Sequence, residues 1–453
     1  MVYQLVRQVQ LQGCGVTDLP FLLIATISIP TWLAVCSLLS AALMLLLLLA
    51  GLFAPGLRYR VSEKDKQSND SEAFLFYMEA LTDAKVNRES AFEVLTNGPS
   101  FYEAELAVIA GARSNVDLEA YIFDRGDIGQ RFISALAERA RAGCAVNVLL
   151  DAFGSSGVNA RYFAPLLEAG GKVTWYNSPA WYRLFHLGNR THRELLIVDG
   201  RIGFIGGAGI ADQWYKGADG KPRWRDTVVR VEGDAVPSLQ ATFAANWLQG
   251  CGELISGSGY FPAERRRSDE LALVVNSTPT VGGSTRARIL FQLMVASAKS
   301  SIDITTPYFL PDSNLTEELV RAVQERHVRV RIVVPNKRTD HLLTRSASRR
   351  GYGALLRAGA ELYEYRPAMI HAKVLLIDGL WSVVGSTNFD PRSFGINDEV
   401  NMAVRGRETA ERLVRDFEAD VAESRKLSYD EWVHRPVLER VPELLGWLIE
   451  RQQ

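Results

Sequence analysis

The chain has 453 residues, enough for two domains of ordinary size or one large duplicated domain. Its 51 basic and 52 acidic side chains give a net charge of -1; this excludes the broad electrostatic grip of a basic nucleic-acid-binding domain but leaves room for local basic patches. Cys14, Cys36, Cys144 and Cys251 are scattered without metal-type pairing, so neither a zinc site nor a disulfide framework is expected.

Residues 1–20 read as a nearly uncharged tail and 21–55 as a transmembrane anchor. The stretch FLLIATISIPTWLAVCSLLSAALMLLLLLAGLF carries no charge, and as a helix it would extend about 50 Å against roughly 30 Å of hydrocarbon. It is too long and starts too late for a cleaved signal peptide. Pro30 kinks the segment or starts the helix proper, leaving Thr31 to Phe53 as a full span, with a tight two-helix hairpin as the alternative. Arg58, Arg60, Lys64 and Lys66 follow the span and only Arg7 precedes it, which predicts that the bulk of the chain faces the cytoplasm. Residues 56–75, including SEKDKQSNDSEA, read as a polar linker.

From there the pattern is α/β and occurs twice, over 76–255 and 256–425. In the first half VDLEAYIF, AVNVLLDAFG and KVTWYN read as strands, with DIGQRFISALAERARAG as a helix between the first two. In the second, SIDITTPYF, VRVRIVVPN and AELYEY are the strands and NLTEELVRAVQERH is the matching helix. Such alternation predicts a parallel or mixed sheet in each half. Residues 426–453 read as a C-terminal amphipathic helix with Val437, Leu438, Val441, Leu444, Leu445 and Leu448 near one face, lying on a bilayer or packing on the domain. The arginines of RTDHLLTRSASRRGYGALLRAG either meet phospholipid head groups or form a solvated helix face.

After the third strand of each half comes one spacing rule. His192, Asp199 and Gly206-Gly207 follow one another at seven-residue steps in THRELLIVDGRIGFIGG; His371, Asp378 and Gly385-Ser386 repeat it 179 positions later in IHAKVLLIDGLWSVVGSTNF. The residues after each histidine predict two apolar strands joined by an Asp-Gly turn, so Asp199 and Asp378 are expected to serve the turn rather than proton transfer. Each histidine opens a buried hairpin, where a polar ring needs a reason. Glycine permits close backbone approach, and Lys373, Ser386 and Asn388 could donate to one compact anion such as phosphate. A histidine beside phosphate can attack phosphorus or pass a proton to the departing oxygen, and two histidines can divide those roles.

The pattern His371-x-Lys373, Asp378, Gly385-Ser386-x-Asn388 resembles the signature of the phospholipase D superfamily. The wording of HAKVLLIDGLWSVVGSTNFDPRSFGINDEVNMAV, the anchor and the ending EWVHRPVLERVPELLGWLIERQQ are similar to bacterial cardiolipin synthases over roughly residues 100–450. The resemblance implies two duplicated phospholipase D-like α/β/α halves with mixed sheets forming one shared active site, behind an N-terminal transmembrane helix in the bacterial inner membrane. It also implies a reaction without metal or other cofactor: the histidine of the first motif, His192, takes the phosphatidyl group of phosphatidylglycerol and releases an alcohol, His371 acts as general acid and base, and a second lipid alcohol receives the group. Membrane phospholipids are then the partners, and nucleic acid is not. A carboxylate downstream of each histidine is implied to hold the imidazole in its working tautomer: Glu399 lies 28 residues after His371, and Asp226, its counterpart, 34 after His192.

The first motif departs from the pattern, with Glu194 in place of lysine and Gly209 in place of asparagine. An ionised Glu194 about 4 Å from a phosphate would cost on the order of 4 kcal/mol at an effective dielectric of 20, so it is expected to pair with Arg190, Arg193 or Arg225; a cationic head group such as that of phosphatidylethanolamine is another partner. A hydrolytic phospholipase D would use the same residues. A superfamily nuclease and a non-catalytic lipid-binding protein are the remaining alternatives, the first opposed by charge balance and anchor, the second by the persistence of both histidines and both acids.

Overall fold

The computed structural model describes residues 31–53, 59–62, 68–178, 188–215, 224–263, 266, 268–280, 284–340 and 342–436. Residues 1–55 and 56–453 are separate compact units. In the first, α1 (Thr31–Phe53) is a 23-residue helix without acidic or basic end residues. Its side chains are described only as far as Leu46, and among the described residues no helix is long and apolar enough to cross a membrane. Residues 21–30 of the expected anchor lie outside the described residues.

The second unit opens with α2 (Glu72–Thr82), β1 (Val86–Asn87), β2 (Ser90–Thr96), α3 (Gly98–Ala110), β3 (Asn115–Ala120), α4 (Asp127–Arg141), β4 (Ala145–Asp151), α5 (Ala164–Glu168) and β5 (Lys172–Tyr176). It continues through β6 (Leu195–Val198), β7 (Ile202–Gly206), α6 (Asp212–Tyr215), β8 (Trp224–Arg225), β9 (Thr227–Gly233) and α7 (Val236–Cys251). Then come β10 (Leu271–Ser277), α8 (Arg286–Ser297), β11 (Ser301–Thr305), α9 (Ser313–Gln324), β12 (Arg329–Pro335), α10 (Leu342–Ala358), β13 (Glu361–Tyr365) and β14 (Met369–Ile370). The described part ends with β15 (Val374–Ile377), β16 (Trp381–Gly385), α11 (Pro391–Gly395), β17 (Glu399–Arg405), α12 (Arg407–Ala422), β18 (Ser424–Leu427) and α13 (Tyr429–Val433).

Two sheets carry the duplication. The first has the order β2-β9-β7-β6-β3-β4-β5, and the second β1-β10-β17-β16-β15-β11-β12-β13-β18. In each, three strands run parallel (β3, β4, β5; β11, β12, β13) and the histidine hairpin (β6-β7; β15-β16) joins them antiparallel, so both sheets are mixed as expected. The hairpin strands LLIV and VLLI are buried at every position, because helices cover one face and the opposite half of the molecule covers the other.

Three apolar cores result. One holds Phe101, Phe132 and Phe163 between the first sheet and its outer helices; another holds Phe74, Leu290, Leu319 and Leu355 on the outer side of the second sheet. The third joins the halves, with Ile197 and Val229 of the first sheet in one cluster with Val374 and Val400 of the second and with Phe243 of α7 and Phe417 of α12. Both ends of the chain's second unit depart from the boundaries read in the sequence. Helix α2 and strand β1 belong to the second half's core and sheet, and the expected linker is pinned there: Tyr59 donates to Asp312 at 2.9 Å, and Asn69 donates to Asp378 at 2.7 Å while accepting from Trp381 Nε1 at 2.7 Å. Residues 426 and 427, read as the start of a helix, instead belong to an edge strand, Ser424–Leu427, that pairs with β13, with Leu427 buried and Arg425 and Lys426 exposed. Only α13 is helical beyond it, and 437–453 lie outside the described residues.

Asp199 and Asp378 do serve the turns. Both adopt left-handed backbone, at φ 55° and 56°, and each precedes a glycine at φ 61°, the geometry of an Asp-Gly hairpin turn. Their carboxylates accept from three consecutive amides ahead of the neighbouring parallel strand: Arg113, Ser114 and Asn115 for Asp199, and Lys299, Ser300 and Ser301 for Asp378. Asp378→Ala, which strands these amides, is expected to destabilise the chain by about 2 kcal/mol, with the loss read from thermal melting of the full chain; retention of the parent melting temperature would contradict that role.

Candidate active site

The two sequence motifs meet through short parallel bridges between the halves. Strand β14, directly before His371, pairs with β8, directly before Asp226, and the His371 amide donates to the Arg225 carbonyl at 2.7 Å. Thr191, directly before His192, bridges in parallel to Asp398, directly before Glu399, and the His192 amide donates to the Asp398 carbonyl at 2.9 Å. Each histidine is thereby registered against the acid of the other half.

The side chains follow. His192 Nδ1 lies 3.1 Å from Glu399 Oε2, and His371 Nδ1 lies 2.8 Å from Asp226 Oδ2. Both carboxylates are fully buried. The orienting acids are therefore the residues picked out in the sequence, but their pairing is exchanged: neither holds the histidine upstream of it in its own half. A carboxylate at Nδ1 leaves Nε2 of each ring as the atom presented for chemistry.

Secondary contacts fix the acids. Asp226 Oδ2 accepts from Trp214 Nε1 at 3.0 Å and Oδ1 from the Thr227 amide at 2.8 Å. Glu399 Oε2 accepts from the Ser386 hydroxyl, which itself accepts from the Val400 amide at 3.1 Å. Ser386, expected among the phosphate donors, is thus turned toward Glu399. Asn388 is 3% exposed, and its Oδ1, an acceptor, has no hydrogen-bond partner among the described residues. Sequence reasoning missed the aromatic walls: Trp214 and Trp224 lie 5.4 and 4.8 Å from the His371 ring and Tyr121 lies 5.1 Å from that of His192, centroid to centroid. The tryptophan two residues before Asp226 was the one local signal for them.

Lys373 projects from β15's leading edge into the first motif. With Nδ1 of His371 donating to Asp226, the ammonium, 3.0 Å from Nε2, donates there and to the His371 carbonyl at 2.8 Å. Gly207 makes room for it, since a Cβ there would lie 2.6 Å from Lys373 Cδ and 3.1 Å from Asp226 Oδ1. Gly206 and Gly385 play a different part, each allowing close approach of the adjoining strand's backbone at Thr227 and Val400.

Charge is unevenly held. Burial, reinforced by the Lys373 ammonium and opposed by Asp226, pushes the His371 imidazole down to about 4. Burial likewise lowers Lys373 to about 8 against the pull of Asp226, Glu399 and Glu194. For Asp226 burial works upward, but the His371 hydrogen bond and the Lys373 charge outweigh it and hold the carboxyl below its ordinary range. The resting state is a neutral His371 between an ionised Asp226 and a protonated Lys373.

Glu194 does not pair with arginine as expected. Its Oε1 accepts from the Tyr121 and Ile122 amides at 3.1 and 3.4 Å, and burial raises its carboxyl well above the ordinary value. The three arginines are engaged elsewhere: Arg190 lies 3.6 Å from Asp151, Arg193 donates to the Thr242 carbonyl at 3.0 Å, and Arg225 lies 2.9 Å from Asp420. Gly209 accommodates this turn, because a Cβ there would lie 2.6 Å from the Ile122 carbonyl and 3.2 Å from Glu194 Oε1.

Comparison with known proteins identifies a phosphatidyltransferase of the phospholipase D superfamily. A family model described as "Cardiolipin synthase, PLD-like domain" matches residues 106–219 and 292–421, and the chain belongs to that family. Cardiolipin synthase 1 of Bacillus anthracis is 34% identical over 367 residues, covering 79% of this chain and 71% of that one. The major cardiolipin synthase ClsA of Bacillus subtilis (strain 168) is 33% identical over 395 residues, covering 85% and 81%. A crystal structure of phosphatidylserine synthase from Haemophilus influenzae Rd KW20 superposes with a TM-score of 0.60 at 14% identity, covering 83% of this chain and 98% of that one, and shares the fold.

Two outcomes test this geometry. Because the folded pKa of His371 lies below its unfolded value of 6.5, its neutral form contributes stability that is complete above pH 6.5 and lost as pH falls toward 4; the ring's NMR titration midpoint should fall near 4, and a midpoint at or above 6.5 would contradict the site described. Gly207→Ala, which displaces Lys373, should lower kcat/KM by about tenfold or more while shifting the melting temperature little, since a single displaced charge contact is worth about 1.4 kcal/mol per decade of rate.

Proposed function

We propose that the chain makes cardiolipin from two phospholipids, with phosphatidylglycerol as donor, through a phospho-histidine on His192. The crossed pairs His192 with Glu399 and His371 with Asp226 carry this reading, since a buried carboxylate at each Nδ1 leaves two Nε2 atoms, one from each motif, for chemistry. The membership in a cardiolipin synthase family supports it.

In the first step His192 Nε2 attacks the phosphorus of the donor, and the bond from phosphorus to the glycerol oxygen breaks. His371 Nε2 supplies the proton that the departing glycerol oxygen requires. A bound phosphodiester beside Lys373 offsets the ammonium that depresses His371, so the imidazole keeps a proton in the complex that it lacks in the free enzyme. In the second step His371 takes the proton from a lipid hydroxyl, that oxygen bonds to phosphorus, and the bond from phosphorus to His192 breaks. Lys373 and Asn388 hold the phosphate oxygens; Ser386 acts through Glu399. Glu194, kept neutral by burial and turned to the Tyr121 and Ile122 amides, adds no negative charge at the phosphate.

Residues 21–55 anchor the enzyme in the bacterial inner membrane in this reading, supported by the uncharged 23-residue helix Thr31–Phe53, whose length of about 34 Å matches a bilayer core of roughly 30 Å. The following Arg58 and Arg60 support a cytoplasmic catalytic unit.

Incubation with phosphatidylglycerol alone tests the reaction: cardiolipin and glycerol in equal amounts are expected, whereas phosphatidic acid would make the enzyme a hydrolase. His192→Ala and His371→Ala should each reduce turnover by more than a thousandfold, and acid-labile label from phosphatidyl donor should be trapped on His192 in His371→Ala; label on His371 would reverse the two roles. Because the Lys373 cation is lost above about pH 8, kcat/KM should fall as pH rises through that value.

A further inference from the structure

A cavity of about 780 Å³ lies at the C-terminal ends of β12 and β13, walled by the loop after β12, by α10 and by the segment from Arg425 to Pro436. Seven of its fifteen lining residues are Lys or Arg and three are Asp or Glu. In a chain with a net charge of -1, that excess is a local construction and not a general property of the surface.

Its centre is a buried carboxylate shared by three guanidinium groups. Glu364 on β13 is 4% exposed. Arg345 Nη2 lies 2.7 Å and Arg349 Nη1 3.5 Å from its Oε1, while Arg425 Nη2 lies 3.0 Å from its Oε2. Arg345 and Arg349, one turn apart on α10, have side chains only 13% and 11% exposed. Of the arginines read as meeting head groups or forming a solvated helix face, Arg350 and Arg357 are exposed, whereas Arg345 and Arg349 turn inward. Three guanidinium groups thus converge on one carboxylate in the same wall of the cavity. The buried Arg345 Nε has no hydrogen-bond partner among the described residues.

The wall opposite is rigid. Trp432 donates from Nε1 to the Arg349 carbonyl at 2.6 Å and packs where a Cβ on Gly353 would overlap its ring; the Arg435 guanidinium lies 4.1 Å from the Trp432 ring centroid. Two acids at the rim are tied locally, Glu431 in the capping box of α13 and Asp430 to His434 at 3.1 Å. Planar guanidinium forks in a positively charged cavity match the oxygens of a phosphate group.

We propose that this cavity is a second phosphate-binding site, distinct from the paired histidines, which takes the phosphate group of an anionic lipid headgroup or of free inorganic phosphate. It adjoins the catalytic site through two loops. Arg338, after β12, donates to the Pro367 carbonyl at 2.6 Å, and the chain from Pro367 runs directly to His371.

Calorimetric titration of the full chain in a non-ionic detergent with inorganic phosphate tests the site. Two phosphates per chain are expected. Lys373→Ala should remove the one at the histidines, and Arg345→Gln/Arg349→Gln should weaken the other at least tenfold. Glu364→Gln, which removes the competing carboxylate, should tighten the second site several-fold, an effect that damage to the fold would not produce. Co-flotation with phosphatidylcholine vesicles, with and without phosphatidylglycerol, separates the sources: preference for the anionic vesicles that falls in the arginine variant assigns the site to a lipid headgroup, and a loss confined to inorganic phosphate assigns it to the soluble anion. Unchanged binding of both phosphate and anionic vesicles by Arg345→Gln/Arg349→Gln, or no tightening in Glu364→Gln, would overturn the proposal.

Discussion

The exchange of carboxylates between halves is the constraint on which the molecule depends. Asp226 and Glu399 are each removed from water, and a buried carboxylate without a partner would be driven to protonate or to unfold its surroundings. Their partners, His371 and His192, come from the opposite half. Each half adds its own donors, Trp214 and the Thr227 amide to Asp226 and Ser386 to Glu399, but the imidazole comes from across the interface, and the apolar cluster that joins Ile197 and Val229 to Val374 and Val400 lies at that interface. Packing and polar satisfaction point to the same interface, so the site and the fold are stabilised together.

Duplication is not symmetry here. Where the second motif places Lys373, the first places Glu194, folded back onto the Tyr121 and Ile122 amides. Where the second places Asn388, the first has Gly209, with the Ile122 carbonyl and Glu194 crowding the position. Lys373 meanwhile leans into the space left by the missing side chain of Gly207. One ammonium is thus given room by a glycine of the first motif and held against His371 of the second. The same asymmetry sets the charge, with His371 neutral beside Lys373.

Local features were legible in the sequence because their causes are local. Alternating apolar and amphipathic runs located β3, α4, β4 and β5 and their counterparts, and the Asp-Gly pairs marked both hairpin turns. The orienting acids could be read only through the resemblance, which implies a carboxylate downstream of each histidine and so points to Asp226 and Glu399. Their partners could not: Glu399 is 207 residues from His192, and Asp226 is 145 from His371, and only the parallel bridges at Thr191 and Ile370 establish which acid meets which ring. Ser386 lies in the same category, its hydroxyl spent on an acid 13 residues away. The placement of α2 and β1 in the second half rests on a strand of two residues, too short to leave any periodicity. Glu194 escaped because its carboxyl group is met by the Tyr121 and Ile122 amides and not by an arginine, a contact between residues 72 and 73 positions apart that leaves no local pattern.

The crossed pairing is tested most directly by the low-field Nδ1–H resonances of the two imidazoles in histidine-labelled protein. Glu399→Gln should displace the His192 resonance and leave that of His371 in place, and Asp226→Asn should do the reverse. If each substitution instead displaced the resonance of the histidine in its own half, the exchange of acids between halves would be wrong, and with it the single site.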